Sequence, residues 1–448
     1  MRRARTHADH QRSDVPQARG SLTNRQHGDN GAIMMHGLPR RLRMFAAGLA
    51  VLAADAQAAD LSLASRRADA ERLVEMVRED YVYLDEPGHC WRGVRERYAE
   101  RVDAAATDDA WRRVLEDMLD ELHDFHAEIG PGSVATRWAV PTGADLWAEW
   151  RGERAVLTAV RAGSDAQRAG LRPGDEVLRI GGTPIVSAAQ SELHCDEARA
   201  SAAARRWALL TQLAGRRGMA RTLEIRDGSG ATRTLTLPAE HRFDRPTARV
   251  SVQRLAHEQA SIRINNSMGQ QQTVAEFDAA LAQVRDAPGL ILDLRDIPSG
   301  GNSTVALGIL GRFVSHRLPY QRHRIPNFGQ ADVERNWVEE VQPRGPFTYT
   351  GKLVVLVDTW TGSMAEAMAI GLDGMRRATV VGTPMAGLAG AVDRSVLPAT
   401  GVSVQFPTEQ LFHIDGTPRH RWRPPIEVMP AAGIDAPLER ARALLGTP

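Results

Sequence analysis

Two stretches of this chain share one layout: an apolar run, a turn of glycine and small polar residues, then an apolar helical pattern. The first is residues 289–294 (GLILDL), followed by Ser299-Gly300-Gly301 and a helical pattern over 304–313. The second is Lys352–Val357 (KLVVLV), followed by Thr361-Gly362-Ser363 and a helical pattern over 364–372. Runs that are apolar throughout, rather than alternating, mark strands buried on both faces, as in parallel sheets covered by helices. With strands over 260–264 and 378–381 and an amphipathic helix over 274–284, the second half predicts an α/β layer structure.

Both turns have chemical potential. Paired glycines at a strand end permit close approach of a substrate, and the N–H groups of Gly300 and Gly301 can point at a developing oxyanion. Ser363 stands at a helix start, where free N–H groups favour negative charge. Ser363 also fits a plain helix cap, with Glu366 three residues on completing a capping box.

The first half reads differently. Residues 64–128 carry helical stripes (Leu73, Val74, Met76, Val77; then Trp111, Val114, Leu115, Met118, Leu119, Leu122), with Thr107 as an N-cap signal and Gly130-Pro131-Gly132 as a stop. This segment ends in Glu121-Leu-His123-Asp-Phe-His126-Ala-Glu128. Two histidines at i, i+3 on one helix face suggest a metal pair, but no third ligand follows at zinc spacing. A histidine general base suits the chemistry better. Residues 133–240 turn to strand-like runs at 155–160 and 222–225. Between them, residues 163–182 (GSDAQRAGLRPGDEVLRIGG) resemble the centre of a PDZ domain, with a short helix at 165–169 and a strand at 176–180.

In this order, a helical segment, a PDZ-like insert and an α/β core resemble the carboxyl-terminal processing and tricorn-core serine peptidases, the tail-specific proteases among them. The resemblance covers nearly all of residues 65–430. It implies a ClpP/crotonase-like core and domain limits at 59–130 (helical), 131–240 (PDZ) and 241–448 (peptidase core). It implies Ser363 as nucleophile, and an oxyanion hole from the Met364 N–H with Gly300 or Gly301. In the tail-specific branch a lysine serves as base, 25 residues after the serine. That position here is Leu388, and the sole lysine, Lys352, begins the strand leading toward Ser363. The tricorn-like branch uses a histidine closing the helical segment, which matches His126, with a downstream glutamate to orient it. At that glutamate's position stands His420, and Glu409, Glu427 and Asp124 are the other acids in question.

The sequence begins with a basic leader. Residues 1–43 hold nine Arg and three Asp, Arg40, Arg41 and Arg43 precede the apolar run 44–54, and Ala56-Gln57-Ala58 offers a small-x-small cleavage site. Eleven apolar residues fall short of the roughly 20 that span a bilayer. A signal peptide over 34–58, a non-native extension over 1–33 and a periplasmic or secreted mature protein are expected, without stable membrane insertion. Cys90 and Cys195, the two cysteines, are read as either paired or free. A net charge of +1 gives no reason to expect nucleic acid. The expected partner is a peptide or protein substrate, with no cofactor and no metal. The rival reading is a non-catalytic peptide- or ligand-binding homologue.

Overall fold

A computed structural model describes residues 61–446 except 299, 327–332 and 432. The expected extension and leader lie outside the described residues. No helix among the described residues is long and apolar enough to cross a membrane.

The second half of the chain builds a six-stranded sheet in the order Ile426–Glu427, Thr379–Gly382, Lys352–Val357, Gly289–Asp293, Ala260–Ile264, Val250–Arg254. All neighbours run parallel except the last pair. Side-chain alternation explains the unbroken apolar runs. Leu290, Leu292, Leu353 and Val355 pack with the helices Gln272–Gln283, Ser303–Leu310 and Met364–Gly374. Ile291, Val354 and Leu356 face Ala441 of the helix Ala436–Leu445 on the other side. Each such buried side chain contributes about 1.5–3 kcal/mol. The helix expected to reach 313 stops at Leu310, because Arg312 and Phe313 switch to bonds on the third residue back.

A second sheet, antiparallel, runs Leu146–Arg151, Arg154–Val160, Glu176–Ile180, Arg221–Arg226, Thr232–Leu237. The helix Ala202–Ala214, unmarked by the sequence reading, packs Leu209 and Leu213 into its core. Arg161, buried at the end of the second strand, donates to Asp296 beyond the core strand Gly289–Asp293, at 2.6 Å and 2.9 Å. That pair joins the second sheet to the first.

A third sheet escaped the sequence reading. Its organiser is the ten-residue strand Ser403–Phe412, which pairs with Glu128–Gly130, Ala391–Val396 and Leu318–Ile325. Leu318–Ile325 pairs in turn with Arg335–Val341. The helices Leu63–Asp80, Val94–Ala104 and Asp108–Asp120 pack against this sheet through Val404 and Phe406. Buried Asp69 fixes the contact by accepting from the Ala399 and Thr400 N–H groups at 3.0 Å and 2.7 Å.

Two local readings of the first half are settled by this arrangement. The last of those helices ends at Asp120, and His123 takes φ +48°, so His123 and His126 share no helix face. His123 instead bonds the Gly88 carbonyl at 2.6 Å and packs edge-on to Trp207. Cys90 and Cys195 form a disulfide, with Cα atoms 5.6 Å apart, tying the helical segment to the second sheet's helices.

Candidate active site

The two glycine-bearing turns lie side by side at the carboxyl ends of the adjacent strands Gly289–Asp293 and Lys352–Val357, where open α/β sheets place their ligands. Asp358 locks them together. Its Oδ1 accepts from the Trp360 N–H at 3.0 Å and the Asp296 N–H at 3.1 Å, and its own N–H donates to Thr361 Oγ1 at 2.9 Å. Thr361 Oγ1 donates to the Leu294 carbonyl at 3.0 Å, and the Gly362 N–H reaches the Ile297 carbonyl at 3.0 Å. Burial pushes the Asp358 carboxyl up to about 6, with Asp296 adding to the rise while hydrogen bonding opposes it.

Ser363 follows at φ +53°, ψ −114°, a conformation that costs a non-glycine residue about 1–3 kcal/mol. A strained strand-to-helix turn of this kind lifts a serine hydroxyl clear of the sheet end. The capping box is present too, and within it Glu366 Oε2 accepts the Ser363 N–H at 2.7 Å. Cap and half-buried hydroxyl therefore coexist. Gly300 and Gly301 lie exposed beside it. A Cβ on Gly301 would stand 2.6 Å from Met364 Cβ and 2.9 Å from Met268 Cβ, so the close approach requires glycine. Among the described residues no hydrogen bond occupies the N–H of Met364 or Gly301. Ser299, between them and the strand, is outside the described residues.

His126 arrives from the other half of the chain, 237 residues away in sequence, with its Nε2 at 3.4 Å from Ser363 Oγ. One strand accounts for the meeting. Glu128, just after His126, is paired with Gln405, and Ala391, just after the loop on His126's far side, is paired with Glu409. Both segments hang on Ser403–Phe412. The ring's Nδ1 lies 2.7 Å from the Ala389 carbonyl oxygen. A carbonyl only accepts, so Nδ1 carries the proton and the neutral ring's lone pair on Nε2 faces the serine. Burial first, and Arg419 second, pull the His126 pKa down from 6.5 to about 4.

None of the three candidate acids reaches this ring. Asp124 accepts the main-chain N–H of His126 at 2.8 Å and the Tyr81 hydroxyl at 3.0 Å. Glu409 binds His323, and Glu427 binds Arg423. His420, at the glutamate position, packs edge-on to Tyr83, and its Nδ1 is buried without a hydrogen bond among the described residues. Leu388, at the lysine position, is buried with Val140, Trp147, Trp360 and Ala386. Lys352 lies exposed at the opposite end of its strand, in register with Gly289. Sequence reasoning missed Ala389, Arg419 and the loop-binding part of Glu366. A main-chain acceptor leaves no mark in a sequence.

A serine hydroxyl, an imidazole and a glycine turn thus meet at the end of a parallel sheet, and comparison with known proteins defines the class. Residues 259–428 match the model of peptidase family S41, and residues 64–120 that of the tricorn protease C1 domain. The protein is a serine-type peptidase. Over residues 259–428 it is similar to peptidase family S41, and over residues 64–120 to the tricorn protease C1 domain. Solved structures share the fold. Mature CPAF complexed with lactacystin is 16% identical, with a TM-score of 0.58, covering 86% of this chain and 97% of that one. The photosystem II D1 C-terminal processing protease is 19% identical, with a TM-score of 0.52, covering 85% and 97%. A peptidase from Parabacteroides merdae is 16% identical, with a TM-score of 0.50, covering 85% and 96%. Comparison with curated proteins gives no match.

Proposed function

We propose that the protein is an exported serine peptidase in which Ser363 attacks a peptide carbonyl while His126 takes its proton. The observation that carries this reading is the 3.4 Å approach of His126 Nε2 to Ser363 Oγ, with Nδ1 held as the donor. The N–H groups of Met364 and of Gly300 or Gly301 receive the oxyanion, His126 returns its proton to the leaving amine, and water hydrolyses the acyl-enzyme. The rival binding-only reading drew on the missing glutamate. The Ala389 carbonyl removes that reason, because it fixes the tautomer without an acid.

In this reading residues 59–130 are the helical domain, 131–240 a PDZ-like domain and 241–448 a ClpP/crotonase-like core. Leu146–Arg151 is an edge strand of its sheet, which suits capture of an extended peptide by strand addition. The preceding loop turns the Thr142 and Ala144 carbonyls onto Arg161, at 3.0 Å and 3.1 Å, and buries Asp145 against Arg221. The PDZ-like domain would then present the substrate peptide or its C-terminus. The disulfide suits an oxidising compartment and, with the basic leader, supports a periplasmic or secreted location. The test is peptide hydrolysis by the mature protein, with free-acid and amidated forms of each peptide. Ser363→Ala is expected to lower turnover by roughly 10⁴-fold or more with the fold intact. Unchanged turnover would overturn the assignment.

A further inference from the structure

We infer that Arg419 is a positioning residue for His126, acting through the loop Gly387–Gly390. Arg419 is 3% exposed and lies on the short turn Arg419–Arg421. Its Nη2 donates to the Leu388 carbonyl at 3.0 Å and to the Gly390 carbonyl at 2.6 Å. These two carbonyls flank Ala389, whose own carbonyl accepts from His126. On the other side of the loop, Glu366 (0% exposed) accepts the Gly387 and Leu388 N–H groups at 2.8 Å and 3.2 Å, besides that of Ser363.

A cation therefore takes the loop's carbonyls and a carboxylate takes its N–H groups. With both flanking carbonyls drawn to Arg419, the loop is fixed with the Ala389 carbonyl facing the imidazole and that of Gly390 beside it. Among the described residues Arg419 has no carboxylate within ion-pair distance, so main-chain oxygens are its partners. A buried guanidinium without a paired acid is costly, and its geometry here serves one short loop. The same helix start carries the serine, so Glu366 registers nucleophile and loop against each other.

The guanidinium also acts by charge. The charged groups beside His126 are Asp124, which accepts its main-chain N–H, and Arg419. Of these, Arg419 disfavours the imidazolium. It keeps the base unprotonated in mild acid, where a carboxylate partner would do the reverse.

The inference rests on the Ser363–His126 reading, and the experiment separates the two. Peptide hydrolysis is followed against pH for the mature wild type, Arg419→Met, Arg419→Lys and Ser363→Ala. Arg419→Met is expected to lower kcat roughly 10- to 100-fold, as loss of a charge-assisted hydrogen bond does, with KM within about twofold. Its acid limb in kcat/KM should move to higher pH. Arg419→Lys keeps the charge on a shorter side chain that falls short of the two carbonyls Nη2 reaches, so its acid limb should stay in place while kcat falls. Where Arg419→Met does not fold, the Arg419→Lys profile decides. Wild-type kcat and an unmoved acid limb in a folded Arg419 variant, with Ser363→Ala inactive, overturn the role of Arg419 and leave the dyad standing. Full activity of Ser363→Ala overturns both.

Discussion

His126 donates its Nδ1–H to the main-chain carbonyl of Ala389 at 2.7 Å. A carboxylate at that point would stabilise the imidazolium and raise its pKa, whereas a carbonyl orients the ring with a dipole alone. Burial and Arg419 then carry the pKa down to about 4. A general base must be unprotonated, so kcat/KM is expected to rise through pH ~4 and to be flat across the neutral range. The measurement is kcat/KM against pH in the wild type. An acid limb at 6.5 or above would show that the ring is set differently.

The same shift bears on stability. His126 and His420 both have folded pKa values near 4, below the ordinary 6.5, burial being the first cause in each. A group whose folded pKa is depressed contributes stability that is full above the unfolded value and declines as pH falls toward the folded one. These two imidazoles should therefore pull the melting temperature down between pH 6.5 and 4, while His194, His323 and His413, whose pKa values are raised, act in the opposite sense. Replacing His420 with Phe should flatten part of that decline.

Lys352 separates this site from a serine–lysine dyad. It is exposed at the far end of its strand, so Lys352→Ala should leave kcat/KM within about twofold. Leu388→Lys should not supply a working base. It would bury an ammonium among Trp147, Trp360 and Val140, beside the carbonyls that Arg419 already holds, and soluble yield and thermal melting should both fall.

Gly301 tests the proposed oxyanion turn. Gly301→Ala forces a methyl group against Met364 and Met268, at distances that real Cβ atoms do not show. Displacing one donor should cost roughly 10²–10³-fold in kcat, with the far-ultraviolet spectrum unchanged. Full activity in that variant would place the oxyanion elsewhere.

The core was legible because its strands are buried on both faces. Apolar runs such as GLILDL and KLVVLV have few other uses, and the structure builds strands on them at Gly289–Asp293 and Lys352–Val357. The third sheet was hidden because its strands mix exposed and buried positions irregularly. Ser403–Phe412 contains Pro407, and Ala391–Val396 is mostly exposed with Asp393 and Arg394 in its middle. That sheet brings His126 to Ser363, so the meeting of two halves of the chain could be expected only from resemblance. The orienting group was out of reach for a further reason. Any residue supplies a carbonyl, so nothing in the sequence distinguishes Ala389.

The Cys90–Cys195 bond closes a loop of 105 residues between the helical segment and the second sheet's helices. Replacing both cysteines with serine should lower stability by about 2–4 kcal/mol, read as a shift in the denaturant midpoint. Equal midpoints for wild type and the double variant would contradict a structural bond.

The pairing of Ser363 with His126 is tested most directly by fluorophosphonate labelling, followed by mass spectrometry of the labelled peptide in the wild type and in His126→Ala. The account predicts one adduct, on Ser363, and a labelling rate that falls roughly 10²–10⁴-fold when the imidazole is removed. Labelling at another residue, or an undiminished rate in His126→Ala, would contradict it.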